Sequence, residues 1–75
     1  MERYANASRD SSVVSYEIGD DYIRVMFSDG SIYLYNYDST GTENTERMKL
    51  LARSGRGLNT FISSTVKKRY ARKER

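Results

Sequence analysis

The chain has 75 residues and a mass of 8.7 kDa, with 37% apolar residues and no cysteine, proline, histidine or tryptophan. So short a chain buries only about 60% of the surface its unfolded form exposes, which admits one small domain and excludes a second core or a deep substrate cavity. The formal charge of +3 is unevenly spread: Met1 to Glu46 carry three basic and nine acidic residues, Arg47 to Arg75 ten basic residues against Glu74 alone. Such a split favours encounters with phosphate-rich partners, although cations near a chain end also serve as a solvated face. Without cysteine there are no disulfides, thiolates or CxxC zinc sites, which fits a reducing cytoplasm. Without histidine the commonest general base and metal ligand is missing. No apolar run approaches the roughly 20 residues of a membrane helix and no charged-then-apolar leader opens the sequence. The expectation is a cytoplasmic protein with no membrane partner, no cofactor and no small-molecule substrate.

Residues 1–10 are polar and aperiodic, and read as a loose segment before a single domain over 11–70. Ser11 to Ile18 is rich in β-branched residues and predicts a strand, and Gly19-Asp20-Asp21 a turn. Tyr22 to Ser28 alternates, with Ile23, Val25 and Phe27 on one face. Asp29-Gly30 is a strong hairpin signal, and Ser31 to Tyr37 predicts a third strand. Asp38 to Thr42 supplies turn formers and hydroxyl caps. A helix then runs from about Glu43, with Met48, Leu51 and Ala52 at helical spacing. Gly55 suits a left-handed cap. A second helix is predicted from Leu58 to about Tyr70, leaving 71–75 as a basic, fraying tail. The expected fold is α+β: a three-stranded antiparallel meander with two helices packed on one face. Its expected core is Val14, Ile18, Ile23, Val25, Phe27, Met48, Leu51, Leu58, Phe61, Ile62 and Val66.

Several pieces recur in a familiar order: FxxGxxYxY at Phe27, Gly30, Tyr33 and Tyr35, AxSG at Ala52, Ser54 and Gly55, then Leu58-Asn59, then VKKRY ending at Tyr70. Together they resemble the KTSC domain over roughly Ser11 to Tyr70. That family occurs alone in bacterial and phage proteins and at the C-terminus of some lysyl-tRNA synthetases. The resemblance implies a domain of unknown function for which RNA binding is suggested by its company. The chain departs from the family pattern in lacking a proline after the YxY strand, and its Asn59-to-Tyr70 spacing is about one helical turn longer.

Tyr33 and Tyr35 share one face of their strand, either as a base-stacking platform or as core. Loop length decides between these. A two-residue loop Asp29-Gly30 pairs Met26 with Tyr33 and exposes the tyrosines beside Arg24. A three-residue loop Ser28-Asp29-Gly30 pairs Val25 with Tyr33 and Ile23 with Tyr35, and packs them inside. Local turn chemistry favours the first and the family pattern the second. The basic segment Lys67, Lys68, Arg69, Arg72, Lys73, with Arg56 upstream and Tyr70 within it, is the expected phosphate-tracking surface. Ser54 to Asn59 lacks the Lys-Ser/Thr ending of a P-loop and reads as a plain helix connection. Adjacent Asp20 and Asp21 point to opposite faces of a strand, and no nucleophile with a base is available, so no catalytic residues are expected. Two functions remain: a non-catalytic RNA-binding module using Arg56, Lys67, Lys68, Arg69, Arg72, Lys73, Tyr33, Tyr35 and Tyr70, or a protein-interaction module or homodimer built on an open sheet face or edge strand.

Overall fold

The computed structural model describes residues 1–6 and 12–75. Five antiparallel strands form one sheet in sequence order: β1 (Glu2–Arg3), β2 (Val13–Ile18), β3 (Tyr22–Phe27), β4 (Ile32–Asn36) and β5 (Arg72–Lys73). Between β4 and β5 lie α1 (Tyr37–Thr40), α2 (Thr42–Ser54) and α3 (Leu58–Phe61), followed by a π-helical turn over Ile62–Val66. The fold is α+β, as the sequence predicts, but the sheet has five strands where three were expected.

The β3–β4 register settles the hairpin. Val25 lies opposite Tyr33 and Ile23 opposite Tyr35. The Phe27 N–H donates to the Ser31 carbonyl at 2.9 Å, the Gly30 N–H to the Phe27 carbonyl at 2.9 Å, and Gly30 has φ +88°. This is the three-residue loop with glycine in the left-handed bulge position, and it turns the tyrosines inward. Tyr35, at 1% exposure, therefore joins Ile23, Val25 and Tyr16 on the face against which Met48 and Ala52 of α2, Leu58 of α3, and Ile62 and Val66 pack.

Other departures follow from local chemistry. The pairing of β2 with β3 slips between Val13 and Ser15, a bulge that buries Val13 and leaves Val14, an expected core residue, 39% exposed. Ile18, Phe27, Leu51 and Phe61 are only partly buried against the core. The expected loose N-terminus is structured over 1–6. Tyr4 is buried, its N–H donates to the Val14 carbonyl at 2.9 Å, and its hydroxyl accepts the Leu58 N–H at 3.2 Å. The rest of that segment, and Ser11 of the first predicted strand, lie outside the described residues. Asn36 and Ser39 form a reciprocal capping box that closes β4 and starts α1.

The predicted second helix is cut short. The Ser63 and Ser64 hydroxyls donate back to the Thr60 carbonyl at 3.1 and 2.7 Å, competing with the helical ladder. The Lys67 N–H then closes a wide turn onto the Ile62 carbonyl, with Lys67 at φ +49°, ψ −117°. Residues 67–71 cross back over the sheet, and the expected fraying tail pairs with β4 instead. Ala71 N–H donates to the Leu34 carbonyl at 2.6 Å, Glu74 N–H to the Ile32 carbonyl at 2.7 Å, and Ile32 N–H to the Arg75 carbonyl at 3.0 Å. At the α2 end, Gly55 takes the expected left-handed cap at φ +79°. A side chain there would bring its Cβ to 2.6 Å from the Ala5 Cβ, so glycine also lets the N-terminal segment lie close.

Candidate functional site

The return of 67–71 across the sheet builds a cleft of about 380 Å³ against the β3–β4 hairpin loop. Its walls are aromatic. Phe27 and Tyr33 meet edge to face at 5.6 Å, Tyr33 and Tyr70 at 4.6 Å, and Tyr35 and Tyr70 at 6.3 Å. Such perpendicular contacts hold each ring in place by its neighbours' quadrupoles. Tyr33 and Tyr70 remain half-buried and line the cleft, whereas Tyr35 forms its floor. Burial, reinforced by the neighbouring Tyr33 and Tyr70, pushes the Tyr35 phenol up to about 12, so it is a neutral O–H at physiological pH.

Polar groups cluster at the mouth. Asp29 Oδ1 accepts the Ser31 N–H at 2.9 Å and the Ser31 hydroxyl at 2.6 Å. The Ser31 hydroxyl and N–H hold the Asp29 carboxyl below the usual carboxylate range, with the Lys73 charge acting in the same direction. Lys68 lines the cleft, and Lys73 Nζ lies 5.9 Å from the Tyr33 ring centroid, within cation–π range. Among the described residues no ion pair engages Lys67, Lys68, Arg69, Lys73 or Arg75.

The opposite sheet face carries a different arrangement. Arg24 sits between Glu17 of β2 and Glu74, its Nε 2.7 Å from Glu74, and Arg72 reaches Glu74 at 3.0 Å. Hydrogen bonds from Arg24, aided by Arg72, lower the Glu74 carboxyl, and the Tyr22 hydroxyl is the main cause of the same shift at Glu17. This chain of charges ties β5 to β2 through β3.

The nine sequence-predicted site residues therefore divide. Lys68, Lys73, Tyr33 and Tyr70 come together at the cleft, with Lys67 and Arg69 on the same crossing segment. Tyr35 is present as floor, with its ring unavailable for stacking. Arg72 and Lys73 occupy an edge strand, and Lys67, Lys68 and Arg69 follow the helical turn, so the expected cationic helix is a turn and a strand. Arg72 is committed to Glu74. Arg56 is not part of the group. It follows Gly55, which packs on Ala5 beside β1, four strand spacings or roughly 19 Å from β5. The first N–H of α3 is taken by Tyr4. From the sequence, Phe27 reads as core, Asp29 as a turn former and Ser31 as the start of the third strand. Only the loop parity, by placing Tyr33 above the hairpin, signalled that they would share a cleft.

Among the described residues there is no group of acidic side chains suited to a metal ion and no helix long and apolar enough to cross a membrane. Comparison of the chain with protein-family models, with curated proteins and with solved structures gives no match.

Proposed function

We propose that the protein is a small non-catalytic module that binds single-stranded RNA, with the aromatic cleft taking a base and the crossing segment tracking phosphates. The observation that carries this reading is the juxtaposition of half-buried Tyr33 and Tyr70 with cations that form no ion pair among the described residues. Stacking on an aromatic face serves any base, and each ammonium or guanidinium that displaces a condensed counterion adds affinity that salt removes. The same reading keeps the chain with the KTSC-like domains it resembles. The rival use of a sheet edge, by a protein partner or a second copy, is disfavoured by the edges themselves: β1 and β5 are each two residues long and made of charged residues, a device that discourages strand addition.

The test is an amide NMR titration with a short single-stranded RNA and with tRNA at about 50 and 200 mM salt. If Lys67, Lys68, Arg69 and Lys73 each meet a phosphate, the affinity is expected to fall about fiftyfold across that range. Shifts should cluster on 67–73, Asp29 to Ser31 and Tyr33. Absence of shifts at the lower salt, or shifts confined to Glu17, Tyr22 and Arg24 on the opposite face, overturns the reading.

A further inference from the structure

A second hollow, of about 320 Å³, adjoins the aromatic cleft and is lined by Asp29, Gly30, Ser31, Lys73 and Arg75. The two cavities share Asp29 and Ser31 and no other residue, so they meet at the tip of the β3–β4 hairpin. Their chemistry differs. The cleft has four aromatic rings and one cation, Lys68, whereas the hollow has no ring and two cations. Strand parity explains the division. Lys73 stands opposite Tyr33 in the β4–β5 pairing, its Nζ 5.9 Å from that ring, and Arg75 follows two residues on. Arg72 and Glu74 alternate to the other face, where Glu74 binds both Arg72 and Arg24. The loop's own polar groups are engaged with one another, since the Ser31 N–H and hydroxyl both donate to Asp29. Lys73 and Arg75, exposed and without an ion pair among the described residues, are therefore the groups that meet an incoming ligand. Asp29 is the sole side-chain carboxylate lining either cavity, and three cations outnumber it.

Resting on the RNA reading above, we propose that the cleft holds an internal nucleotide of the strand, with its base among the rings, one flanking phosphate at Lys68 and the other in the hollow at Lys73 and Arg75. Stacking rings bordered by cations match a nucleotide, whose phosphates hang from the sugar at the edge of the base. Two separate cationic groups match the two phosphates of a nucleotide within a strand, where an unphosphorylated terminal nucleotide has one.

Adenosine 5′-monophosphate and adenosine 3′-monophosphate are the deciding probes, because each carries one of the two phosphates on the same base. Amide NMR titrations at about 50 mM salt, where phosphate contacts are strong, compare the parent with Lys68→Ala and with the double variant Lys73→Ala, Arg75→Ala. All three side chains are exposed, so their truncation leaves the core untouched. Lys68→Ala is expected to weaken one monophosphate about fivefold, the upper end for an exposed ion pair, and to leave the other within about twofold. The double variant should do the reverse. A general cationic field gives no such crossing, since each variant would then weaken both nucleotides alike. Any pattern without the crossing, including no shifts from either nucleotide at about 10 mM, overturns the two-sided placement. A hexanucleotide that still shifts 67–73 then leaves RNA binding standing, and one that shifts nothing overturns both.

Discussion

Replacing Tyr35 with alanine is expected to cost about 3–5 kcal/mol, the usual range for removing a fully buried aromatic ring. For a chain of this length the whole stability is roughly 4–11 kcal/mol, so the variant should melt about 15–30 °C below the parent. The argument is geometric. Tyr35 lies opposite Ile23 at the centre of the sheet, is 1% exposed, and supports Tyr70 edge to face at 6.3 Å. Its removal leaves a void between sheet and helical layer, where surrounding groups relax only partly. Tyr35→Phe, which keeps the ring, should cost less than about 1.5 kcal/mol. Thermal melts followed by circular dichroism decide. An alanine variant melting within about 5 °C of the parent means that the strand is turned the other way, with a two-residue hairpin loop and the tyrosines outside.

Removing residues 71–75 is expected to lower stability by about 2 kcal/mol and to make the protein self-associate. Four backbone bonds to Ile32 and Leu34 disappear, each worth about 0.5–1 kcal/mol net of water, and so does the Arg24–Glu74 pair. That loss exposes β4 as the new edge, with free N–H and C=O groups flanked by half-buried Ile32 and Leu34 and without the cationic guard that β5 supplies. Sedimentation velocity at rising concentration should show dimers or larger species that the full chain does not form. A truncated chain that stays monomeric and melts at the parent temperature would show that β5 contributes nothing to the sheet. The truncation also removes Arg72, Lys73 and Arg75, so an RNA-binding defect in it says little about phosphate contacts, which are better probed at Lys67, Lys68 and Arg69.

The parts of the fold that the sequence disclosed are those with local causes. Alternation over Tyr22 to Phe27, the Asp29-Gly30 turn and the Met48, Leu51, Ala52 spacing are written in neighbouring residues, and β3, the β3–β4 hairpin and α2 follow them. The outer strands were illegible for the opposite reason. Neither Glu2-Arg3 nor Arg72-Lys73 has β character of its own, and both become strands because an edge of β2 or β4 was free to receive them. Hydrophobic spacing carried the second helix to Tyr70, but Ser63 and Ser64 sit in that run and their hydroxyls compete with the backbone. One bulge reversed Val13 and Val14, which alternation alone cannot distinguish. At the site, the cations were legible as composition and the tyrosines as a pattern. That they meet across a cleft depended on a chain reversal near Lys67 whose left-handed backbone no glycine or asparagine announced.

The bond from the Leu58 amide to the Tyr4 hydroxyl joins residues 54 apart in the chain. Closing so long a loop carries an entropy cost that the β2–β3–β4 hairpins, made of near neighbours, do not bear, so this contact is expected to form after those hairpins. It is correspondingly expected to break early when the native state opens locally, which amide exchange at Leu58 would read. The Leu58 amide is the first of its helix, a position with no carbonyl of its own to bind, and its shelter from solvent deuterium is lost whenever Tyr4 swings away. A single exchange rate, read at a residue in the middle of the chain, thus times the detachment of the chain's beginning.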